Sequence, residues 1–291
     1  MKKIGQFKFQ NKRGFRRRSL PKLTDATMVV AFEGWNDAGN AASLAIAALR
    51  RQWRAIPFAE VDSEEFFNFI DTRPDLYIAA SGKRLVNWPK TTISLATSET
   101  SPGNVVFVYG VEPQLKWKSY STTLSKIAKK MNCSRAIFLG SYSSDVLHDK
   151  PVQVTVTGDI DMGKTENRLT VSTYEGPVGI IGILQMEFES RHIPTGSIWA
   201  SVPNYSEPTS PKAALALVSM VKEITHGSVS TAELERLSLE YEQRMTKMVQ
   251  EDELLSAYVR YVSQQNELDM LASGSDNIVK EIEKFLREEN N

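Results

Sequence analysis

The chain has 291 residues, 41% hydrophobic and 24% charged, with 35 basic and 35 acidic side chains and no formal net charge; this is the make-up of a globular protein with room for one large α/β domain and a smaller module. A single cysteine, Cys133, excludes an intrachain disulfide framework, and three scattered histidines (His148, His192, His226) form no zinc-type cluster, so no metal or other cofactor is expected. No apolar run reaches the roughly 20 residues a membrane-spanning helix needs, and the N-terminus lacks the apolar stretch of a secretory signal, so a cytoplasmic protein without a membrane partner is expected.

Residues 1–24 carry nine basic side chains and no acidic one, whereas 228–291 carry 14 acidic and 7 basic ones; with +9 and −7 at the ends, the middle holds −2. The basic arm reads as a solvated, disordered segment. With only Phe7, Phe9 and Phe15 for aromatics it lacks a stacking platform, which argues against nucleic acid. Next, Met28 to Phe32 reads as a buried central strand, broken by Gly34. Asp37 is placed to cap the helix that follows from Ala38 to Trp53, with Leu44, Ala45, Ala48, Leu49 and Trp53 at helical spacing. Ile56–Val61 reads as a strand and Ser63–Phe69 as a short helix. Leu76–Ala80 and Thr91–Thr97 read as strands of an antiparallel excursion around Ser81-Gly82. Asn104–Gly110 is a second buried parallel strand, Ser119–Met131 an amphipathic crossover helix, and Ala136–Ser141 a third strand. Repeated βα order implies a mostly parallel sheet.

Val152–Thr157 and Leu169–Ser172 alternate with period two and read as half-exposed strands. Between them, Gly158–Thr165 formally matches the phosphate-loop pattern G-x-x-x-x-G-K-[ST]. It leads into a strand instead of a helix and places Asp159 and Asp161 where an anion would rest, so a polar hairpin turn is the expectation. Pro177 is expected at the first position of a Gly- and Ile-rich helix starting near Val178. Ser197–Val202 reads as a strand and Pro208–Ile224 as a helix. Beyond Ser228, Ser230-Thr231-Ala232-Glu233 has the form of a capping box. It heads a helix with Leu234, Leu237, Tyr241, Met245 and Met248 on one face. A second helix is marked by Leu254, Leu255, Tyr258, Val259 and Val262, and a third by Ile278, Ile282, Phe285 and Leu286. The expected organisation is therefore a basic arm (1–24), an α/β domain (25–228) and an acidic helical subdomain (229–291).

Catalytic constellations are thin: the sequence has no G-x-S-x-G elbow, dinucleotide fingerprint or H-E-x-x-H pair. No catalytic residue is assigned. Cys133 has no evident activating base, and His148, near Asp145 and Asp149, is placed to serve as an acid or base, although a lone loop histidine is more often structural or idle. Ligands of open α/β domains sit beyond the C-terminal strand ends. The candidate lining there is Glu33, Trp35, Asn36, Asp37, Glu112, Tyr174 and Glu175. Converging carboxylates would suit a cationic or hydroxyl-rich ligand over a phosphate, and the same groups can serve as caps.

Four blocks carry a resemblance. They are Ala31-Phe32-Glu33-Gly34-Trp35-Asn36-Asp37-Ala38-Gly39-Asn40-Ala41-Ala42-Ser43, Val111-Glu112-Pro113-Gln114-Leu115-Lys116-Trp117, Tyr174-Glu175-Gly176-Pro177-Val178-Gly179-Ile180-Ile181-Gly182 and Trp199-Ala200-Ser201-Val202-Pro203-Asn204-Tyr205. The chain resembles the PAC2 family, named after proteasome assembly chaperone 2, and its bacterial, actinobacterial-type branch in particular, from about Asp25 to Ser228 and, more weakly, into the helical C-terminus. It departs from that pattern at Ser144–Pro151 and in a short Asp159–Thr165 turn. The resemblance implies a three-layer α/β/α sandwich of phosphorylase/hydrolase-like type with a C-terminal helical appendage. It implies a homo-oligomer, with a trimer expected, and no secure enzymatic activity. The leading functional expectation is a non-enzymatic assembly or scaffold protein that binds protein partners such as proteasome subunits. The alternative is an enzyme or small-ligand binder holding a nucleoside- or peptide-like compound at the acidic strand ends.

Overall fold

The structure, a computed structural model, describes residues 20–158 and 175–268 together with the backbone of two short strands, β1 (Lys3–Ile4) and β2 (Phe7–Phe9). The first βα unit is β3 (Ala26–Glu33) and α1 (Ala41–Gln52), followed by β4 (Ile56–Val61) and one turn of helix, α2 (Ser63–Phe66). Then come β5 (Asp75–Ile78), β6 (Arg84–Asn87), β7 (Thr91–Ala96), β8 (Val105–Val111), α3 (Trp117–Lys130) and β9 (Cys133–Ser144). The chain continues through β10 (Val154–Gly158), α4 (Ile180–Ser190), β11 (Thr195–Pro203), α5 (Pro211–Thr225), α6 (Ala232–Glu251) and a helix over 253–268, α7.

The main sheet has the order β1-β2-β4-β7-β8-β3-β9-β11-β10. β8, β3, β9 and β11 are parallel neighbours, while β7 runs against both β4 and β8, and β10 runs against β11. Five of the seven strands from β4 to β10 therefore point the same way. β3 lies near the middle, and its alternation feeds two cores because successive side chains leave a strand on opposite faces. Val29 and Ala31 pack under α1 and α5; Met28, Val30 and Phe32 pack under α3 and α4. The result is the expected three-layer α/β/α sandwich. α6 lies along α5 and buries Leu234, Tyr241 and Met245.

Several boundaries differ from the sequence reading. α1 begins at Ala41, not Ala38, because Gly39 (φ 59°) and Asn40 (φ 49°) take left-handed conformations that interrupt the helix. α4 begins at Ile180 behind the extended Gly179, so Pro177 precedes the helix. The Ser230–Glu233 capping box is not made: Thr231 Oγ1 donates to Glu235 Oε1 at 2.6 Å, and Glu233 pairs with Arg51. Ser81-Gly82 turns into β6, a strand the sequence reading did not separate; it pairs with β5 in a sheet of its own, while β7 joins the main sheet. The Asp159–Thr165 turn, the Leu169–Ser172 strand, the Ile278–Leu286 helix and Tyr174 lie outside the described residues.

Candidate functional site at the strand ends

The segment from Glu33 to Asn40 leaves the C-terminal end of β3 and crosses the end of β9 before α1 begins. Its backbone is tied on both sides: Glu112 N–H donates to Glu33 O (2.9 Å) and Ser141 N–H to Asn36 O (2.8 Å). Ser141 Oγ also donates to Ala38 O at 2.8 Å.

Two of the acidic side chains serve helix starts. Asp37 Oδ1 accepts the N–H groups of Ala42 (2.7 Å) and Ser43 (3.1 Å), two of the donors that an α-helix leaves free at its first turn. Glu112 does the same for α4, Oε1 accepting Ile180 N–H at 2.8 Å, and its Oε2 reaches Trp35 N–H at 3.4 Å. One carboxylate thus staples the first turn segment to a helix 68 positions downstream. The closeness is steric as well. A Cβ on Gly179 would lie 1.9 Å from Asn36 Oδ1 and 3.0 Å from Glu112 Oε1, so the α4 entry can approach this turn only with glycine there.

Asn36 and Asp37 are 7% and 5% exposed, and Asn36 Oδ1 and Asp37 Oδ2 have no hydrogen-bond partner among the described residues. Burial raises the Asp37 carboxyl above the usual carboxylate range against the lowering effect of its bonds to Ser43 and Ala42. Desolvation also raises Glu33, with the Asp37 carboxylate adding to it. Ser43 Oγ, the hydroxyl beside them, donates to Asn40 O at 3.1 Å. The group can accept protons and hydrogen bonds. Trp35 stands outside it, 61% exposed.

Of the candidate lining, Glu33, Asn36, Asp37 and Glu112 come together, and Trp35 reaches them only through its backbone N–H. Glu175 is exposed. No group of three or more His, Cys, Asp or Glu that could hold a metal occurs among the described residues, and Cys133 is a buried thiol pushed up to about 12 by desolvation.

A second polar cluster lies at the ends of β9 and β11, where α6 and α7 dock. His148 is buried; its Nδ1 lies 2.9 Å from Tyr205 Oη and its Nε2 3.0 Å from Thr246 Oγ1. Tyr205 Oη already accepts His148 N–H (3.0 Å), so the consistent assignment has the phenol donating to Nδ1 and Nε2–H donating to Thr246. Tyr258 Oη and Asn204 Nδ2 each donate to Asp145 Oδ1 at 2.6 Å. Lys212 donates to the carbonyls of His148 and Lys150, both at 2.7 Å, and pairs with Glu242. Leu147, His148, Ser201, Ser210, Lys212 and Tyr241 help to line a cavity of about 10 Å³, room for about one water. Sequence reasoning left His148 isolated, because its partners are 57 and 98 positions away.

The PAC2 family model matches residues 31–249. The chain belongs to the PAC2 family. A PAC2 family protein from Streptomyces avermitilis is 35% identical over 81% of this chain and 100% of its own, with a TM-score of 0.73. A proteasome-assembly chaperone homologue from Mycobacterium tuberculosis is 34% identical over 80% of this chain and 99% of its own, with a TM-score of 0.72. An archaeal proteasome activator from Pyrococcus furiosus shares the fold at 15% identity and a TM-score of 0.62, over 84% of this chain and 99% of that one. No curated protein matches the sequence. In this PAC2 chain, the first resemblance block forms the strand-end turn, the second supplies Glu112, the third brings Gly179 and Ile180, and the fourth ends in Tyr205. No described helix is long and apolar enough to cross a membrane.

Proposed function

We propose that this PAC2 protein is a non-enzymatic assembly or scaffold protein that self-associates, as a trimer, and binds protein partners, with proteasome α subunits the first to test. The observation that carries the reading is the commitment of the strand-end carboxylates. Where an α/β enzyme would present reacting groups, Asp37 and Glu112 are turned onto the N–H groups of α1 and α4, while the indole of Trp35 faces outward. Exposed aromatic side chains on a rigid frame are suited to protein contact. The relative from Mycobacterium tuberculosis, described as a proteasome-assembly chaperone homologue, supports the choice of partner.

The test is co-sedimentation of the full-length chain with purified proteasome α subunits from its own source. Binding that survives Asn36→Ala supports a role outside the polar group; absence of any complex overturns the proteasome assignment. A second reading, a small ligand rich in hydrogen-bond donors, is favoured by the two unpartnered oxygens of Asn36 and Asp37. It calls for a metabolite that co-purifies with the wild-type chain and is lost in Asn36→Ala, read by native mass spectrometry.

A further inference from the structure

α7 carries two apolar faces. The inner one holds Leu255, Tyr258, Val259 and Val262, with Val262 buried and the other three half-buried. Polar contacts fix the same side on the α/β domain: Tyr258 Oη donates to Asp145 Oδ1 at 2.6 Å, its ring stands edge-on to Tyr205 with centroids 5.9 Å apart, and Asn266 Nδ2 reaches Asp145 O at 3.4 Å. Leu254, Tyr261 and Leu268 lie on another side of the helix and are 85%, 57% and 58% exposed. They are spaced by seven residues, two helical turns less a drift of about 20°, so the three stand in line along the helix. At about 100° per residue this line lies roughly 120° round from the inner face. Ala257, Gln264 and Gln265 complete the stripe, and no charged side chain falls on it. One apolar face suffices to dock a helix, so the second calls for a second partner.

The sequence that follows α7 supplies one. Residues 269–291 lie outside the described ones, and their pattern is that of an amphipathic helix from Asn277 to Asn290. Ile278, Val279, Ile282, Phe285 and Leu286 share one face, and the charged residues between Lys280 and Glu288 take the other sides. The stripe from Leu254 to Leu268 and the segment from Asn277 to Asn290 both span about 20 Å at the α-helical rise. Between them stand the eight residues Asp269 to Asp276, with Ser273-Gly274-Ser275 as the turn. That length is ordinary for a connection between antiparallel helices.

We propose that residues 277–290 fold back as an antiparallel helix on the outer stripe of α7, with Ile278 beside Leu268, Ile282 beside Gln264 and Phe285 beside Tyr261. A helix of this length is marginal by itself in water, so the tail gains its order from the stripe and the stripe its cover from the tail. The tether decides between this occupant and a second copy of the chain. A segment joined to α7 by so short a connection is present at an effective concentration on the order of millimolar, which a separate copy matches only at that protein concentration. The inference stands apart from the identity of the protein partner and from the size of the oligomer.

The experiment is hydrogen exchange by mass spectrometry on the full chain, joined to thiol cross-linking. Wild type is expected to protect the amides of 277–290. Tyr261→Asp with Leu268→Asp is expected to lose that protection while β3, β8 and α5 exchange as before, since both side chains lie on the outer side of α7. Ile282→Asp, a change in the tail alone, is expected to do the same. Chains carrying Tyr261→Cys together with Phe285→Cys, treated with a short bismaleimide, are expected to be linked within one chain, which neither single variant shows; Cys133 is buried. An unprotected tail in wild type overturns the proposal. Protection that survives either aspartate change puts the tail elsewhere and overturns the stripe as its site. Links formed only between chains make a second copy the occupant and overturn the proposal as well.

Discussion

Asp37 was legible as a cap from its position after a strand-ending glycine, but its partners were not. Gly39 and Asn40 insert a left-handed turn, so the carboxylate serves Ala42 and Ser43, five and six residues on. Replacing an acceptor at a helix start by alanine costs about 1–2 kcal/mol, and Asp37→Ala is expected to lose that in urea denaturation. Asp37→Asn keeps an acceptor oxygen and removes the repulsion with Glu33, so its stability at neutral pH should equal or exceed that of wild type. Folding raises the proton affinity of both carboxyls. Their contribution is therefore fully present below the ordinary carboxylate range and is lost as pH rises through the raised values. The urea midpoint of wild type should fall across that window more than that of Asp37→Asn. Glu112 could be placed at a strand end from sequence, yet its tie to Ile180 is a contact across 68 positions that no local pattern encodes. Glu112→Ala should cost about 1–3 kcal/mol by leaving the Ile180 and Trp35 N–H groups without their acceptor, with faster amide exchange at those two residues as the readout.

The parallel strands were the elements most readable in advance, because short β-branched runs ended by glycine have few other homes. Helix starts were less so: α1 and α4 begin later than the apolar pattern suggests, displaced by the left-handed Asn40 and the extended Gly179. The buried face of α6 (Leu234, Tyr241, Met245) was readable, but where α6 and α7 dock was not, since their polar contacts are to hydroxyls and a histidine distant in sequence. Burial holds His148 below its ordinary value; Lys212 also lowers it, while Asp149 and Glu242 act the other way. A histidine whose folded value is depressed contributes stability above its ordinary pKa and loses it as pH falls through the folded value. Mild acidification should therefore raise hydrogen exchange in 232–268 before it does so in β3 and β8. His148→Ala should produce the same pattern at neutral pH. At Gly140 a Cβ would lie 2.4 Å from the Trp199 ring, so Gly140→Ala should overpack the β9–β11 neighbourhood and cost about 1–3 kcal/mol by thermal denaturation.

At the scale of the molecule, β3 feeds two cores and ends in the turn that joins β9, α1 and α4, so the strand ends are the structural hub of the chain. Glu33, Asn36 and Asp37 lie on one turn, and Glu112 hydrogen-bonds to it. What sequence could not tell is which oxygens would be consumed by helix N-termini. The solvent-facing β5–β6 hairpin was equally hidden, because four-residue strands carry too little pattern to show which face is covered. Organising the fold and presenting surfaces to other proteins then fall to different parts of the molecule, and the two can be separated by mutation. The most direct measurement is a binding titration of the full-length chain against purified proteasome α subunits from its own source, for wild type and Asn36→Ala. The expected result is saturable binding of equal affinity for both proteins. A wild type that does not bind, yet carries a small molecule that Asn36→Ala loses, would contradict it.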